Sequence, residues 1–436
     1  AVYEATQRKD RIHVHQLHSV EMPFPLREML PLAGGKQLVL ADAFGGRIAV
    51  FETHSGSVLS LRTLPGHNIR GLALHPTANH VLVSHQILNP IARTTFNDIH
   101  WGVLMANVVR SIPVATLIDP QTDILAGSRL YRLGMSGPAA GDPAGIAVGE
   151  SGQTVIALSG INAVETGWPL HKLTRLATGR RPADIQIHQD RAYVLNTFSD
   201  SVTTINLVNL EAEAEIPLGK QGRLTAIDRG EQLFFDARLS HNGWMSCHSC
   251  HPDGHSNGQL NDNLSDGSFT TPKRVLSLLG GGQTSPWAWN GSSGRLDEQV
   301  IRSIAHTMHG TALSEAQVGD LTAYLESLPP PPLRTQERTP ERIVRGESVF
   351  TKHDCVRCHK PPLYTSAEIY QVGLKDELGR DEFNPPSLRG VSHRRHFFHD
   401  GRAETLFQVF GKHRHQLKQP LSATELLDLV AFLKSL

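Results

Sequence analysis

The stretch "MSCHSCHPDG" (Met245–Gly254) is echoed about a hundred residues later by "HDCVRCHKPP" (His353–Pro362), and the two together use all four cysteines of the 436-residue chain. Each contains Cys-x-x-Cys-His. Cysteine pairs at this spacing serve zinc sites, redox dithiols or the thioether attachment of haem, and the histidine directly after the second cysteine separates the three. In c-type attachment both thiols bond to the haem vinyl groups and the adjacent imidazole becomes an axial iron ligand. A zinc site would have to gather its ligand pairs from far apart and would leave the histidine without a task. A thioredoxin-like dithiol follows a strand in a βαβ unit, which the flanking sequence lacks. Two covalent c-type haems are therefore expected: one on Cys247, Cys250 and His251, the other on Cys355, Cys358 and His359.

Composition narrows the surroundings. Lysine plus arginine (42) balances aspartate plus glutamate (42), so charge gives no argument for nucleic acid or an acidic membrane surface. No run approaches the ~18 apolar residues of a membrane span. The chain opens "AVYEATQRKD", with neither an initiator Met nor a leader. Because covalent haem attachment takes place outside the cytoplasm, the expectation is an exported, periplasmic protein whose signal peptide has been removed. With 24 histidines present, an isolated one says little.

Residues 1–221 read as all-β. Short runs such as "KQLVLADAF", "RIAVFET", "HVLVSHQ" and "RAYVLNT" alternate with Gly, Asn, Asp and Pro turns. A period shows as well: "DPAGIAV" (from Asp142) recurs as "RPADIQI" (from Arg181), with Pro143 and Pro182 39 apart. About four strands per repeat near 40 residues predicts a β-propeller, and about five blades would fit. "RTLPGHNIRGLALHPTANHVLVSHQ" resembles the YVTN type of repeat.

From residue 222 the texture becomes helical, and the chain duplicates itself. "RGEQLFF" and "RGESVF" precede the two cysteine pairs, "WNGSSGRLDEQV" parallels "HDGRAETLFQVF", and "LSEAQVGDLTAYLESL" parallels "LSATELLDLVAFLKSL". The last pair carries the apolar spacing of an amphipathic helix. A stiff Pro329–Pro332 spacer lies between the copies. The expected architecture is multidomain: a propeller over 1–221, then mainly α cytochrome c-like domains over 222–333 and 334–436.

The ordered series "GEQLFFDARLSHNGWMSCHSCHPDG", "TPKRVLSLLG", "WNG", "FNPPSLRGV" and "HFFHDGR" resembles the bacterial diheme cytochrome c peroxidase family, which includes MauG. The resemblance covers roughly 222–436. It implies an enzyme with peroxide chemistry, or a high-valent iron, at the N-terminal haem and an electron relay at the C-terminal haem. It also implies a tryptophan between them, here Trp289, a small electron donor such as a cytochrome c or cupredoxin, and a calcium between the haem domains, although no ligand run identifies the ion. Whether peroxide alone or a partner protein is the final substrate stays open.

Two positions depart from the family pattern. The catalytic glutamate expected twenty residues after the tryptophan is replaced by His309, in "AHTMHG". An imidazole can move protons at neutral pH, but it can also bind iron, as can Met308. Both readings stand: His309 as distal acid–base, or His309 or Met308 as sixth ligand, with His306 a weaker candidate. At haem two the count from the HDG turn gives His413 as distal ligand, with His415 close by. The alternative function is a non-catalytic electron-transfer protein with both irons six-coordinate. Three further features carry weaker expectations. His13, His15, His18 and Met22 would suit copper or a plain edge strand. His100 and Trp101, in "FNDIHWG", would serve packing or else face the haem domains. Asp236 and Arg238 would form a buried pair or contact a haem carboxylate.

Overall fold

The computed structural model describes residues 2–8, 11–77, 79–168, 170–333 and 339–436, without the side chains of residues 2–8, 11–15, 17, 18 and 33. The histidines considered for copper, His13, His15 and His18, fall outside the described side chains. Their backbone forms an antiparallel hairpin of β1 (Val2–Arg8) and β2 (Arg11–His18).

Four antiparallel four-stranded sheets follow, each a simple meander. They comprise β3 (Leu26–Pro31), β4 (Gln37–Asp42), β5 (Arg47–Glu52) and β6 (Ser57–Thr63); then β7 (His67–His75), β8 (His80–Leu88), β9 (Met105–Pro113) and β10 (Arg129–Leu133). The third holds β11 (Pro143–Val148), β12 (Thr154–Leu158), β13 (Ala163–Gly167) and β14 (Thr174–Ala177), and the fourth β15 (Pro182–His188), β16 (Arg191–Asn196), β17 (Ser201–Asn206) and β18 (Glu211–Pro217). The repeat legible in the sequence is thus structural, since Pro143 and Pro182 both open a first strand. Four four-stranded sheets are present among the described residues, where the sequence suggests room for five blades. The hairpin uses the first residues for two strands only, and the second sheet carries long connections through the helical turns Phe96–His100 and Val114–Ile118.

The first strands β3, β7, β11 and β15 pack on one another in succession. Glycine permits the close approach. A Cβ at Gly71 would lie 2.5 Å from the Ala144 carbonyl oxygen, and one at Gly145 would lie 2.6 Å from that of Ala183. Between sheets, apolar alternation fills layers such as Val39, Ile48, Val81 and Ile112, and Val155, Val164, Val194 and Ile205.

The C-terminal half is helical and built twice. Helix Ala226–Phe234 packs on Glu315–Ser327, and helix Pro340–Lys352 packs on Ala423–Lys434. The recurring Arg-Gly-Glu has a physical reason in both copies. A Cβ at Gly230 would collide with the Asp320 carbonyl, and one at Gly346 with that of Asp428. The preceding arginines form two-pronged ion pairs across the same crossings, Arg229 with Asp320 (2.6 and 2.7 Å) and Arg345 with Asp428 (2.7 and 3.0 Å). Both closing helices start with capping boxes, Ser314/Gln317 and Ser422/Glu425. Among the described residues no helix is long and apolar enough to cross a membrane.

Candidate haem sites

Each Cys-x-x-Cys-His loop faces a cavity inside its own helical unit. The first, about 300 Å³, is lined by Cys247, Cys250 and His251 with Phe234, Val300, Ile304, Met308 and Leu321. The second, about 450 Å³, is lined by Cys355, Cys358 and His359 with Phe350, Phe397, Leu406, Val409 and His415.

The donor chemistry fits c-type haem. Burial pushes the Cys247 and Cys250 thiols up to about 12 and Cys355 up to about 11, away from the thiolate character a redox dithiol needs. His251 and His359 are both lowered to about 4 by burial, which keeps the imidazoles neutral as iron ligation requires. Each ring donates its Nδ1–H to a backbone carbonyl, His251 to Leu276 (2.9 Å) and His359 to Tyr364 (3.1 Å). That hydrogen bond fixes the tautomer and leaves Nε2 as the metal-facing atom.

Two buried cations complete the fit. Arg274 and Arg394 line both cavities, and burial lowers them to about 9 and 10 with no carboxylate acting on either. Their described hydrogen bonds go to carbonyls, Arg274 to Phe398 (3.3 Å) and Arg394 to Ser387 (2.5 Å). A guanidinium buried without an anion is costly, and the propionates of a bound haem would supply the missing charge. Sequence reasoning looked instead to Asp236 and Arg238. That pair forms within its own turn (2.6 and 2.8 Å), but its guanidinium is more than half exposed.

Trp289, 8% exposed, also lines both cavities. Its indole N–H donates to the Arg274 carbonyl (2.7 Å), and its own carbonyl accepts from Asn384 N–H (2.8 Å). The duplicated counterpart His399 faces it edge-on, ring centres 6.4 Å apart, and its carbonyl accepts from Arg274 N–H (2.6 Å). His399 stacks on Phe383 and carries a buried Nε2 without a described partner.

The histidine candidates separate. Met308, buried, lines the first cavity; His309 is not among its lining residues. His309 Nε2–H donates to the Thr94 carbonyl of the four-sheet region (2.9 Å), in a left-handed conformation (φ 47°). His306 is exposed. The π-helical turn Ser303–Thr307 explains the phase: its extra residue per turn carries Met308 to the cavity side. At the second cavity His415 lines the wall and burial lowers it to about 4, whereas His413 is absent from the lining. Both keep one buried ring nitrogen without a described partner, His413 Nε2 and His415 Nδ1.

The four-sheet region reaches into the first site. His100 Nδ1 meets His241 Nε2 at 3.0 Å, so "FNDIHWG" does face the haem half. Asp142 accepts from the hydroxyls of Ser246 and Ser249, both at 2.5 Å. Nothing in "DPAGIAV" distinguished this aspartate from an ordinary turn residue.

Comparison with known proteins bears on the same half. Residues 225–328 match the family model for di-haem cytochrome c peroxidase. The chain is 27% identical over 283 residues to the methylamine utilization protein MauG of Methylophilus methylotrophus, covering 50% of this chain and 84% of that protein. It is 26% identical over 273 residues to cytochrome c551 peroxidase of Nitrosomonas europaea, covering 48% and 78%. A solved hydrazine synthase chain of Kuenenia stuttgartiensis superposes with a TM-score of 0.41 at 22% identity, over 51% of this chain and 96% of that one.

Proposed function

From the match of residues 225–328 to the di-haem cytochrome c peroxidase family model and the likeness of the C-terminal half to MauG and a cytochrome c peroxidase, we propose that this protein is a periplasmic oxidoreductase acting on hydrogen peroxide, with Trp289 as relay between two haem sites. The observation that carries the reading is the single indole forming a wall of both cavities. Haem held at the two sites would supply one-electron storage and peroxide reduction.

In this reading Cys247, Cys250, Cys355 and Cys358 form the thioethers, and His251 and His359 are the proximal ligands. Arg274 and Arg394 neutralise the propionates. We assign the distal position of the second site to His415, two residues beyond the His413 that the sequence count suggests. An imidazole pair holds a lower potential than a His/Met pair, which suits a site that passes electrons on. Met308 guards the first site. His309, tethered to Thr94, positions the turn that carries Met308. Electrons enter from a small cytochrome or cupredoxin, and the oxidising equivalents go to peroxide turnover or to residues of a partner protein. The four sheets are read as propeller blades of a domain over 1–221, followed by haem domains over 222–333 and 334–436. No calcium is assigned, since no group of three or more His, Cys, Asp or Glu side chains suited to a metal occurs among the described residues.

A second reading is favoured by the same Met308: a non-catalytic electron carrier, its first iron closed by the thioether. Electron paramagnetic and optical spectra of the purified diheme protein decide between them. The enzyme reading expects a high-spin signal or a peroxide-induced change in at least one redox state. Two haems that stay low-spin throughout and ignore peroxide would exclude it.

A further inference from the structure

A cavity of about 450 Å³ opens outside the haem sites, between the second sheet and the segment entering the first attachment loop. Trp101, Met135 and Arg132 stand on its lining with Leu133, Ser136 and Trp244. Trp101 and Met135 are 64% and 67% exposed, an unusual cost for two large apolar side chains side by side. Trp244 is buried, its indole N–H donating to the His100 carbonyl (3.3 Å). Its ring fills the space where Gly102 (φ 62°) lacks a Cβ, an atom that would lie 2.5 Å from it.

The chemistry of the lining is specific. Two indoles and a thioether offer flat, polarisable surface, and Arg132 is the one charged residue lining the cavity, with no carboxylate partner among the described residues. Aromatic surface with a lone guanidinium and no carboxylate suits a planar ring bearing a carboxylate. The position matters as well. Trp244 adjoins Met245, which lines the first haem cavity, and both cluster with Cys250. One residue therefore separates the outer pocket from the haem site.

We propose that this pocket binds a phenolic carboxylate as a reductant, and that Trp244 carries its electron to the first haem site. Each phenol loses one electron and its hydroxyl proton to become a phenoxyl radical. Two such donors supply the two electrons and two protons that turn one hydrogen peroxide into two waters. The electron step rests on the proposed peroxide chemistry; the binding does not.

Isothermal titration of the diheme protein with ferulate tests the binding. One site per chain is expected, at least tenfold weaker in Trp101→Ala and in Arg132→Gln, both exposed positions whose replacement leaves the core intact. The same ring without its carboxylate, 4-vinylguaiacol, should bind more weakly than ferulate to the native protein and equally well to Arg132→Gln. Absence of binding, or binding indifferent to both substitutions, overturns the site. Peroxide-driven ferulate oxidation is then compared with oxidation of a reduced cytochrome c by the same preparation. Turnover of both, with only ferulate slowed in Trp101→Ala, is the expected result. Turnover of the cytochrome alone overturns the reductant role and leaves the peroxidase reading standing, whereas turnover of neither removes the peroxidase reading and the electron step together.

Discussion

The two attachment loops are chemical copies in different surroundings. Around the first, Ser246, His248 and Ser249 are at most 5% exposed, and the four-sheet region holds them from outside. Asp142 takes both serine hydroxyls, His67 donates to the Ser249 carbonyl (2.8 Å), and Gln86 reaches the Ser249 hydroxyl (3.2 Å). Arg70 grips Asp253 with two nitrogens at 3.0 and 3.3 Å. Around the second loop Asp354, Arg357 and Lys360 are exposed, and the local bonds are those of a surface: Lys360 with Glu368 (3.5 Å), and Tyr370 to the Arg357 carbonyl (3.0 Å). Duplication built both helical clamps, and the β region covers one. The covered loop is enclosed by hydrogen-bonded side chains; the open loop lies at the surface, where under the proposed function a donor protein would deliver its electrons. A cofactor edge in water exchanges electrons easily, while a buried polar network fixes geometry for chemistry.

The largest effect should come from breaking the cover. Asp142 is fully enclosed, and Asp142→Ala strands two serine hydroxyls as well as removing the carboxylate. Hydrogen bonds to a charged acceptor contribute about 1.5–3 kcal/mol each, so a loss of roughly 3 kcal/mol or more is expected in thermal unfolding. The comparison also demands asymmetry: the absorption and paramagnetic signature of the first haem should change, that of the second should not. Equal disturbance at both sites would show that the β region steadies the whole haem half.

Next is communication between the sites. Trp289→Phe keeps an aromatic wall but removes the more easily oxidised indole and its bond to the Arg274 carbonyl. Electron transfer between the haems, followed by stopped-flow after half-reduction, should slow by about tenfold or more, ~1.4 kcal/mol in barrier. The potentials of the two haems should move little. An unchanged rate would transfer the relay to His399 or to direct contact.

A smaller, pH-dependent effect comes from imidazoles buried in both halves, and two of them lie in the covering sheets. Burial lowers His67 to about 4 and His85 to about 3, against an ordinary 6.5. Both are neutral inside, so the unfolded chain takes up protons first as pH falls. Stability is full above about 6.5, declines below it, and the decline ends near 4 for His67 and near 3 for His85. Each contributes up to about 1.4 kcal/mol per pH unit within its window. Thermal scans between pH 7 and 4.5 should show that slope, and His67→Gln should make it measurably shallower. A flat profile would mean that neither imidazole stays buried in solution.

Legibility in the sequence followed the range of the interactions. Cys-x-x-Cys-His points to haem attachment within five residues, and Trp289 is singled out by the resemblance of its turn to the family motif; the structure puts Trp289 on the wall of both cavities. The strand repeat was visible because first strands begin alike, at Pro143 and Pro182. What escaped depends on partners far away or on local phase. Arg274 and Arg394 sit in ordinary basic stretches, and only enclosure from both haem units makes them notable. Asp142 gains its role from serines about a hundred residues on. The family spacing leads to His309 with Met308 as the alternative, and the π-turn before Met308 is what turns the methionine, not the histidine, to the cavity. At the second site the count gives His413, but after helix Leu406–Gly411 His415 N–H bonds back to the Val409 carbonyl and His415 lines the cavity.

The smallest effect is the sharpest control on the comparison. Arg229–Asp320 and Arg345–Asp428 occupy equivalent crossings, with guanidiniums of similar exposure, 49% and 53%. Exposed pairs of this kind contribute about 1 kcal/mol or less, so Arg229→Ala and Arg345→Ala should each lower the melting temperature only slightly. If the helical clamps are alike and only the cover differs, the two losses measured in the full chain should agree within error. In Asp142→Ala, where the cover is loosened, Arg229→Ala should become the costlier of the two, because the first unit then relies on its own helices. Equal losses in both backgrounds would show that the cover fixes the attachment loop alone and leaves the helix crossing beneath it to stand by itself.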